Sequence, residues 1–454
     1  MEAIRLQRFR GFLDSGWIEL KPVTLLFGYN SSGKSSILKA LLMMKQSLEN
    51  PSPETPFVFS SERTDLGSFY DIVYNHEIDP ENPMVLSLRV NINDKIMQLS
   101  QFKEYGKSLF HSLHNDPVLE FSVSIHYNEV KKINEIISFT LCDVNGKHIL
   151  SMSGAQNATK HFSSDYLQTC PEELDWNHFL PGIRELNINP LVHQIFSCLN
   201  NSVSLEFQRL TNIGPVRAIP SRIQQFTGER PFNVGGKGEN ALKLLYLSKH
   251  DSAFPAPLAY NIDAWLATYN YTFTWKMLDE NIGQFILTDT RNNLKINLKD
   301  VGFGISQVLP IVIQVYTASS DSIVLIEQPE IHLHSKAQSE LADLLLHAID
   351  FNKKTSKKLI VETHSENLLL RIRRRLAETY LSNNSNNKLT ANEIAIYFIE
   401  NIDGYSNLQQ INLNEQGGFY EPIPEGFKKF FTDDFEEIMK INMALTKINS
   451  NENN

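Results

Sequence analysis

Gly28, Gly33, Lys34 and Ser35 stand in the order Gly-x-x-x-x-Gly-Lys-Ser, the spacing of a loop that cradles phosphate. The two glycines let the main chain take φ > 0 and wrap an anion, and the residues after them open a helix whose dipole favours negative charge. Tyr29, Asn30, Ser31 and Ser32 line the turn, with Ser36 on the first turn of the helix. Lys34 is expected to reach the β and γ phosphates of a nucleotide, and the Ser35 hydroxyl to take one place on Mg²⁺.

A second group of residues lies far along the chain. Gly302, Gly304, Ser306 and Gln307 precede an apolar helix from Val308 to Tyr316, which places glycine N–H groups and a serine hydroxyl at another helix start. Ser322 to Ile326 reads as a buried strand ending in Glu327-Gln328-Pro329-Glu330, so that a carboxylate sits at a strand's carboxyl end, where parallel α/β sheets bind ligands. Glu327 is the expected Mg²⁺ partner of Ser35. Leu359 to Val361 is a third buried strand, ending at Thr363-His364-Ser365, where His364 is placed to donate to a γ-phosphate.

These residues need a frame. Val23 to Phe27 is a continuous apolar run, and Ile37, Leu38, Leu41 and Leu42 follow with helical spacing: strand, loop and helix in succession. Met1 to Leu20 reads as an antiparallel hairpin. Asp65 to Phe69 is a turn at which Asp65 or Ser68 is either a γ-phosphate sensor or plain turn chemistry. Period-two alternation from Met84 to Met152 predicts an antiparallel sheet, with Asn145-Gly146 as a type I′ hairpin turn. Residues 155–205 read as helical and irregular, anchored by Trp176, Phe179, Leu180, Ile183, Leu186 and Ile188. Gly214-Pro215-Val216-Arg217 and Gly235 to Asn240 suit phosphate contact, but without a following strand and helix they fit ordinary loops better. Helices over 241–268 and strands over 270–298 complete the second lobe. The expected division is 1–80 for an N-lobe with the phosphate loop, 81–205 for an inserted sheet and helical region, 206–400 for the C-lobe, and 401–454 for a hairpin and helix tail.

Composition narrows the class. The chain has 454 residues, 42% hydrophobic and 21% charged, with a formal charge of −10; this is the composition of an ordinary soluble globular protein, with no global signature of nucleic-acid binding. The three cysteines, Cys142, Cys170 and Cys198, form neither a metal pattern nor a disulfide framework, and the scattered histidines lack ligand spacing. No apolar run approaches a membrane span, and a cytoplasmic location is expected. Lys353, Lys354, Lys357, Lys358, Arg371, Arg373, Arg374 and Arg375 are either a nucleic-acid footprint or solvated faces.

The phosphate loop, Gly304 to Gln307, Ile323 to His334 and Glu362-Thr363-His364-Ser365 together resemble the AAA family ATPases of ABC/SMC type, the group that includes the OLD nucleases, RecF and Rad50. Leu66 to Phe69, Gly214 to Arg217, Gly238 to Asn240 and the tail with Ile423 to Phe427 are similar to one bacterial branch, whose functional relative is the ATPase subunit of the Septu antiphage system. The resemblance implies an ABC-type ATPase head with a mixed or antiparallel N-lobe and a parallel-sheet core. It further implies ATP and Mg²⁺ as cofactors, Lys34, Ser35 and Glu327 as phosphate and metal residues, and His364 as a γ-phosphate switch. Ser306 is expected to act across a subunit boundary in a head-to-tail ATP-sandwich dimer, and Arg10 either to contact nucleotide or to be surface charge.

One departure stands out. Where the family shows a second acid, this chain has Gln328, which cannot accept a proton from water; Glu330 is the nearby carboxylate that can compensate. Slow hydrolysis is the consequence. The resemblance implies a nucleotide-gated regulator or scaffold of a partner HNH nuclease, with nucleic acid reached through that partner. The alternative is a DNA-repair ATPase of the RecF or Rad50 type that binds DNA directly.

Overall fold

Val23 to Gly28 is apolar or small at every position and buried at every position, as required of a strand flanked by parallel neighbours with helices on both faces. The computed structural model describes residues 1–50, 55–79, 81–92, 117–153, 161–165, 176–182, 190–226, 228–250, 257–351, 357–382 and 389–430. β1 (Ala3–Phe9) pairs antiparallel with both β2 (Phe12–Asp14) and β3 (Ile18–Glu19), the expected opening hairpin broken once at Gly16. β4 (Val23–Gly28) follows, then the loop and α1 (Lys34–Glu49), with Gly33 at φ 109 as the cap. α1 turns Ile37, Leu38, Leu41 and Leu42 inward. α2 (Phe69–Ile72) starts at Ser68, whose side chain and main chain share Asp71 in a capping box.

β5 (Met84–Asn91), β6 (Val118–Asn128), β7 (Ile133–Asp143), β8 (His148–Ser153) and β9 (His161–Ser163) extend the first sheet in the order β2-β1-β5-β6-β7-β8-β9, antiparallel throughout. Leu119, Phe121, Val123 and Ile125 face inward as their alternation predicts. β5 pairs directly with β1, so β5 to β9 continue the sheet that the opening hairpin begins. The turn between β7 and β8 differs from the expected type I′ form: Gly146 has φ 79, but Asn145 does not take positive φ. Asp143 Oδ1 accepts the N–H groups of Asn145 and Lys147 and fixes a longer loop instead. After β10 (Trp176–Asn177) and β11 (Leu180–Pro181), where Phe179 and Leu180 are buried anchors, α3 (Pro190–Arg209) packs against α1 and β5. Ile183, Leu186 and Ile188 lie outside the described residues.

β12 (Leu210–Ile213) enters the second sheet, and β13 (Gln224–Gln225), α4 (Ala241–His250) and α5 (Pro257–Thr268) lead to the antiparallel β14 (Tyr271–Asp279), β15 (Ile282–Asp289) and β16 (Leu294–Asn297). Then come α6 (Phe303–Thr317), β17 (Ile323–Glu327), α7 (Ser335–His347), β18 (Lys358–Glu362), α8 (Glu366–Ser382), β19 (Ile394–Ile402) and β20 (Tyr405–Ile411). Asp403 at φ 51 and Gly404 at φ 91 join β19 and β20 in the primed-turn geometry that Asn145-Gly146 lacks. The second sheet runs β12-β17-β18-β4-β19-β20, parallel except for β20.

Its two faces belong to two cores. Ile323 and Leu325 join α1, α3 and the antiparallel sheet, whereas Val324 and Ile326 join α4 to α8, as period-two alternation in one strand dictates. An α/β protein with an antiparallel N-lobe and a parallel-sheet core is therefore the observed architecture.

Candidate nucleotide site

Strand order sets the site. β4 carries the phosphate loop, β18 lies beside it and β17 one strand further, so that Glu362 and Glu327 end adjacent strands in register. Lys34 is 3% exposed, and its Nζ donates to Gly28 O at 2.9 Å and Tyr29 O at 2.6 Å. Burial lowers its pKa, and the carboxylates of Glu362 and Glu330 pull the other way. The loop is tight: a Cβ on Gly28 would lie 2.0 Å from Ile399 O, and one on Gly33 would lie 2.5 Å from Ser406 Oγ. Tyr29, Asn30 and Ser31 are exposed, Ser36 is buried, and Ser32 Oγ is buried without a partner.

The Ser35 hydroxyl donates to Glu362 Oε1 at 2.9 Å. Glu327, expected to share Mg²⁺ with Ser35, ends β17, one strand further from the phosphate loop than β18, so Glu362 has the inner place. Glu327 remains at the site beside it. Burial and then the Glu362 charge push the Glu327 carboxyl up to about 7, while Lys39 and Arg217 pull it down. Burial also raises Glu362, against its hydrogen bond from Ser35 and the charges of Lys34 and Lys39.

Glu330 Oε1 accepts the His364 main-chain N–H at 2.6 Å. Burial raises its pKa, and Oε2 has no partner. His364 lies beside it with Nε2 buried and unpartnered; burial, then the Lys34 charge, lower its pKa and keep the ring neutral. Gln328 sits at φ 42, its N–H donating to Glu362 O at 2.8 Å. Arg217 Nη2 donates to Glu327 O at 2.9 Å and Gln328 O at 3.4 Å. Burial lowers the Arg217 pKa to about 10, and its Nε and Nη1 lack partners.

Glu362 and Lys39 are the residues that sequence reasoning left without a role, and Arg217 stood there only within a loop suited to phosphate contact or to plain structure. A signal for Glu362 was present, since it closes a buried strand just as Glu327 does.

The remaining candidates are placed unequally. Arg10 occupies the turn from β1 to β2, its N–H donating to Ile72 O at 2.7 Å; the adjoining Gly11 packs on Ser406, the residue that also meets Gly33. That turn is thereby tied to the phosphate loop. Ser306 and Gln307 are buried in α6, and Ser306 lines a cavity of about 210 Å³ with Gly238, Glu239 and Ser221. Gly304 opens on a different cavity, of about 360 Å³, beside Trp265, His332 and Leu333. The basic run is consumed internally: Arg371 and Arg375 bind Asp343, Arg374 and Arg375 bind Glu378, and Arg373 donates to Gly417 O. Lys358 Nζ binds Met1 O and Glu2, while Lys353 and Lys354 lie outside the described residues.

Among the described residues no group of three or more His, Cys, Asp and Glu side chains is placed to hold a metal ion, and no helix is long and apolar enough to cross a membrane. Residues 248–369 match the AAA ATPase domain family, a stretch that holds Gly304 to Gln307, Glu327 to Glu330 and His364. No curated protein matches the chain. Among solved structures, the chain is similar to an SmcHead bound to the C-winged helix domain of ScpA, at 11% identity, over 91% of this chain and 97% of that one, TM-score 0.46. It is similar to the SMC head domain from Thermotoga maritima at 9% identity, over 91% and 99%, TM-score 0.39. A third is the Smc head domain with an extended coiled coil bound to the C-terminal domain of ScpA derived from Pyrococcus furiosus, at 11% identity, over 98% and 99%, TM-score 0.43.

Proposed function

We propose that the chain binds ATP with Mg²⁺ at the phosphate loop, hydrolyses it slowly, and acts as a nucleotide-gated regulator or scaffold of a partner nuclease in bacterial antiphage defence. One observation carries the nucleotide reading. Ser32 Oγ, Arg217 Nε and Nη1, Glu330 Oε2, Glu362 Oε2 and His364 Nε2 are all buried without partners around one phosphate loop and two strand ends. Unsatisfied buried groups cost about 1–3 kcal/mol each, so a cluster of them is a site shaped for a polar ligand.

The parts then have roles. Loop N–H groups and Lys34, released from the Gly28 and Tyr29 carbonyls, take the β and γ phosphates, and neutral His364 donates Nε2–H to a γ-phosphate oxygen. A Mg²⁺ ion fits the donor set, since Ser35, Glu362 and Glu327 are hard oxygen ligands and Glu362 Oε2 is unpartnered. When bound, the ion supplies charge neutralisation for the phosphates. Gln328 can orient water but not deprotonate it, so turnover is slow unless Glu330, whose Oε2 is free of partners, supplies the base.

The regulatory role rests on the motif order shared with the Septu-like branch. An ATP-sandwich dimer, with Ser306 meeting a γ-phosphate in trans, is part of the same reading. Direct DNA binding is the weaker reading because the arginines of α8 are already paired within the chain. A titration with a fluorescent ATP analogue tests the site: the parent binds and Lys34→Ala, still folded by thermal melt, does not. Equal binding by the two would remove the phosphate-loop assignment.

A further inference from the structure

The C-terminal segment reaches the phosphate loop. Residues 425–430 are helical and follow β20 back across the sheet, where Phe427 packs edge-on against Phe398 of β19 at 5.5 Å and Phe27 of β4 at 6.4 Å. One turn on, Phe430 meets Tyr29 of the loop at 5.3 Å and 77°, and lies over the His364 ring at 6.1 Å and 29°. Both separations fall within the range of productive aromatic pairs. The His364 Nε2 atom has no hydrogen-bond partner, so no hydrogen bond at that nitrogen sets the direction of the ring; its main chain is fixed through Glu330. Among the described residues, Phe430 is the aromatic ring stacked on the imidazole.

We propose that Phe430 is a positioning residue of the nucleotide site, holding the His364 and Tyr29 rings at the rim of the phosphate loop so that the C-terminal segment takes part in distinguishing nucleoside triphosphate from diphosphate. The inference rests on the reading of His364 as the γ-phosphate donor. Diphosphate lacks the group that His364 would touch, so disordering the ring weakens triphosphate binding and leaves diphosphate binding as it was. It also places the segment 401–430 inside the catalytic unit, joined to the loop through Ser406 at one end and Phe430 at the other.

The test compares dissociation constants of fluorescent ATP and ADP analogues, with Mg²⁺, on the full chain. Phe430→Ala is expected to lower the ATP-over-ADP preference about three- to tenfold, the scale of one aromatic pair, with ADP affinity unchanged. Phe430→Tyr restores the preference, and Phe430→Leu, which keeps bulk without a ring, does not; this pair decides the matter even where the alanine variant fails to fold. His364→Ala loses the preference too, and adding Phe430→Leu to it costs nothing further. If His364→Ala lowers the preference and Phe430→Leu does not, the inference is overturned and the His364 reading stands. If His364→Ala itself leaves the preference intact, the γ-phosphate reading falls and takes the inference with it. Equal loss of ATP and ADP affinity in Phe430→Leu also overturns it, since that is the mark of general disruption.

Discussion

The Ser35 hydroxyl donates to Glu362 Oε1 at 2.9 Å across 327 positions of sequence. The contact makes Glu362, on the strand next to the phosphate loop, the inner carboxylate of the site, with Glu327 beside it in register. Glu362→Gln keeps the shape and a hydrogen-bonding oxygen but removes the charge. It is expected to weaken Mg²⁺-dependent ATP binding at least tenfold, on the order of the loss seen when a metal-site partner is removed. Binding of ATP in EDTA should change little. Equal losses with and without Mg²⁺, read by the same fluorescence titration, would argue for a purely structural Glu362.

Acidity should act on the same pair. Burial and the Glu362 charge hold the Glu327 carboxyl near pH 7, above its ordinary 4.5. Between those values Glu327 binds a proton in the folded protein that it does not bind in the unfolded chain, so its own contribution to the stability of the metal-free protein grows as pH falls from 8 toward 5, against the opposite contribution of His178 and His364, whose pKa values burial lowers. Thermal melts should show that contribution as a parent-minus-Glu327→Gln difference that rises toward pH 5. Mg²⁺ should raise the melting temperature more at pH 8 than at pH 6, because the cation competes with that proton; the reverse order would contradict the carboxylate pair as its site.

Assembly gives a separate expectation. A site shared in trans needs the phosphate loop of one chain and the α6 face of another, so Lys34→Ala and Ser306→Arg damage opposite halves. Each variant alone should fail to form an ATP-dependent dimer. An equimolar mixture should recover it, with one intact site per heterodimer, as read by sedimentation. No gain on mixing, with both variants folded, would refute sharing through Ser306.

How much of this was legible follows from the range of each interaction. β4, the Gly33 cap and α1 are local, and the run Val23 to Phe27 with helical spacing after it reads directly. Glu362 was hidden because strand neighbours are not written in sequence order: the chain passes through β17 before β18, while the sheet sets β18 inside. The Asn145-Gly146 turn departs from its local signal because Asp143 captures the nearby N–H groups. The arginines of α8 could have been resolved further from spacing alone, since Arg374 and Arg375 stand four and three residues before Glu378. Arg217 stood in a loop suited to phosphate contact or to plain structure, and its partners could not be read there because they are main-chain carbonyls on a distant strand end.

Nucleotide should serve this chain as a conformational ligand more than as a fuel if Gln328 stands in place of a proton acceptor. Its main chain is already fixed by Arg217 and by Glu362 O, so a glutamate at 328 should present its carboxylate from the same left-handed turn. The decisive measurement is the single-turnover rate of ATP hydrolysis by the parent and by Gln328→Glu at saturating Mg²⁺. A slow parent is expected, with an increase on the order of a hundredfold or more in Gln328→Glu, the scale of a positioned general base. A parent that turns over at an ordinary enzymatic rate, unchanged by Gln328→Glu and abolished by Glu330→Gln, would contradict it and make Glu330 the base.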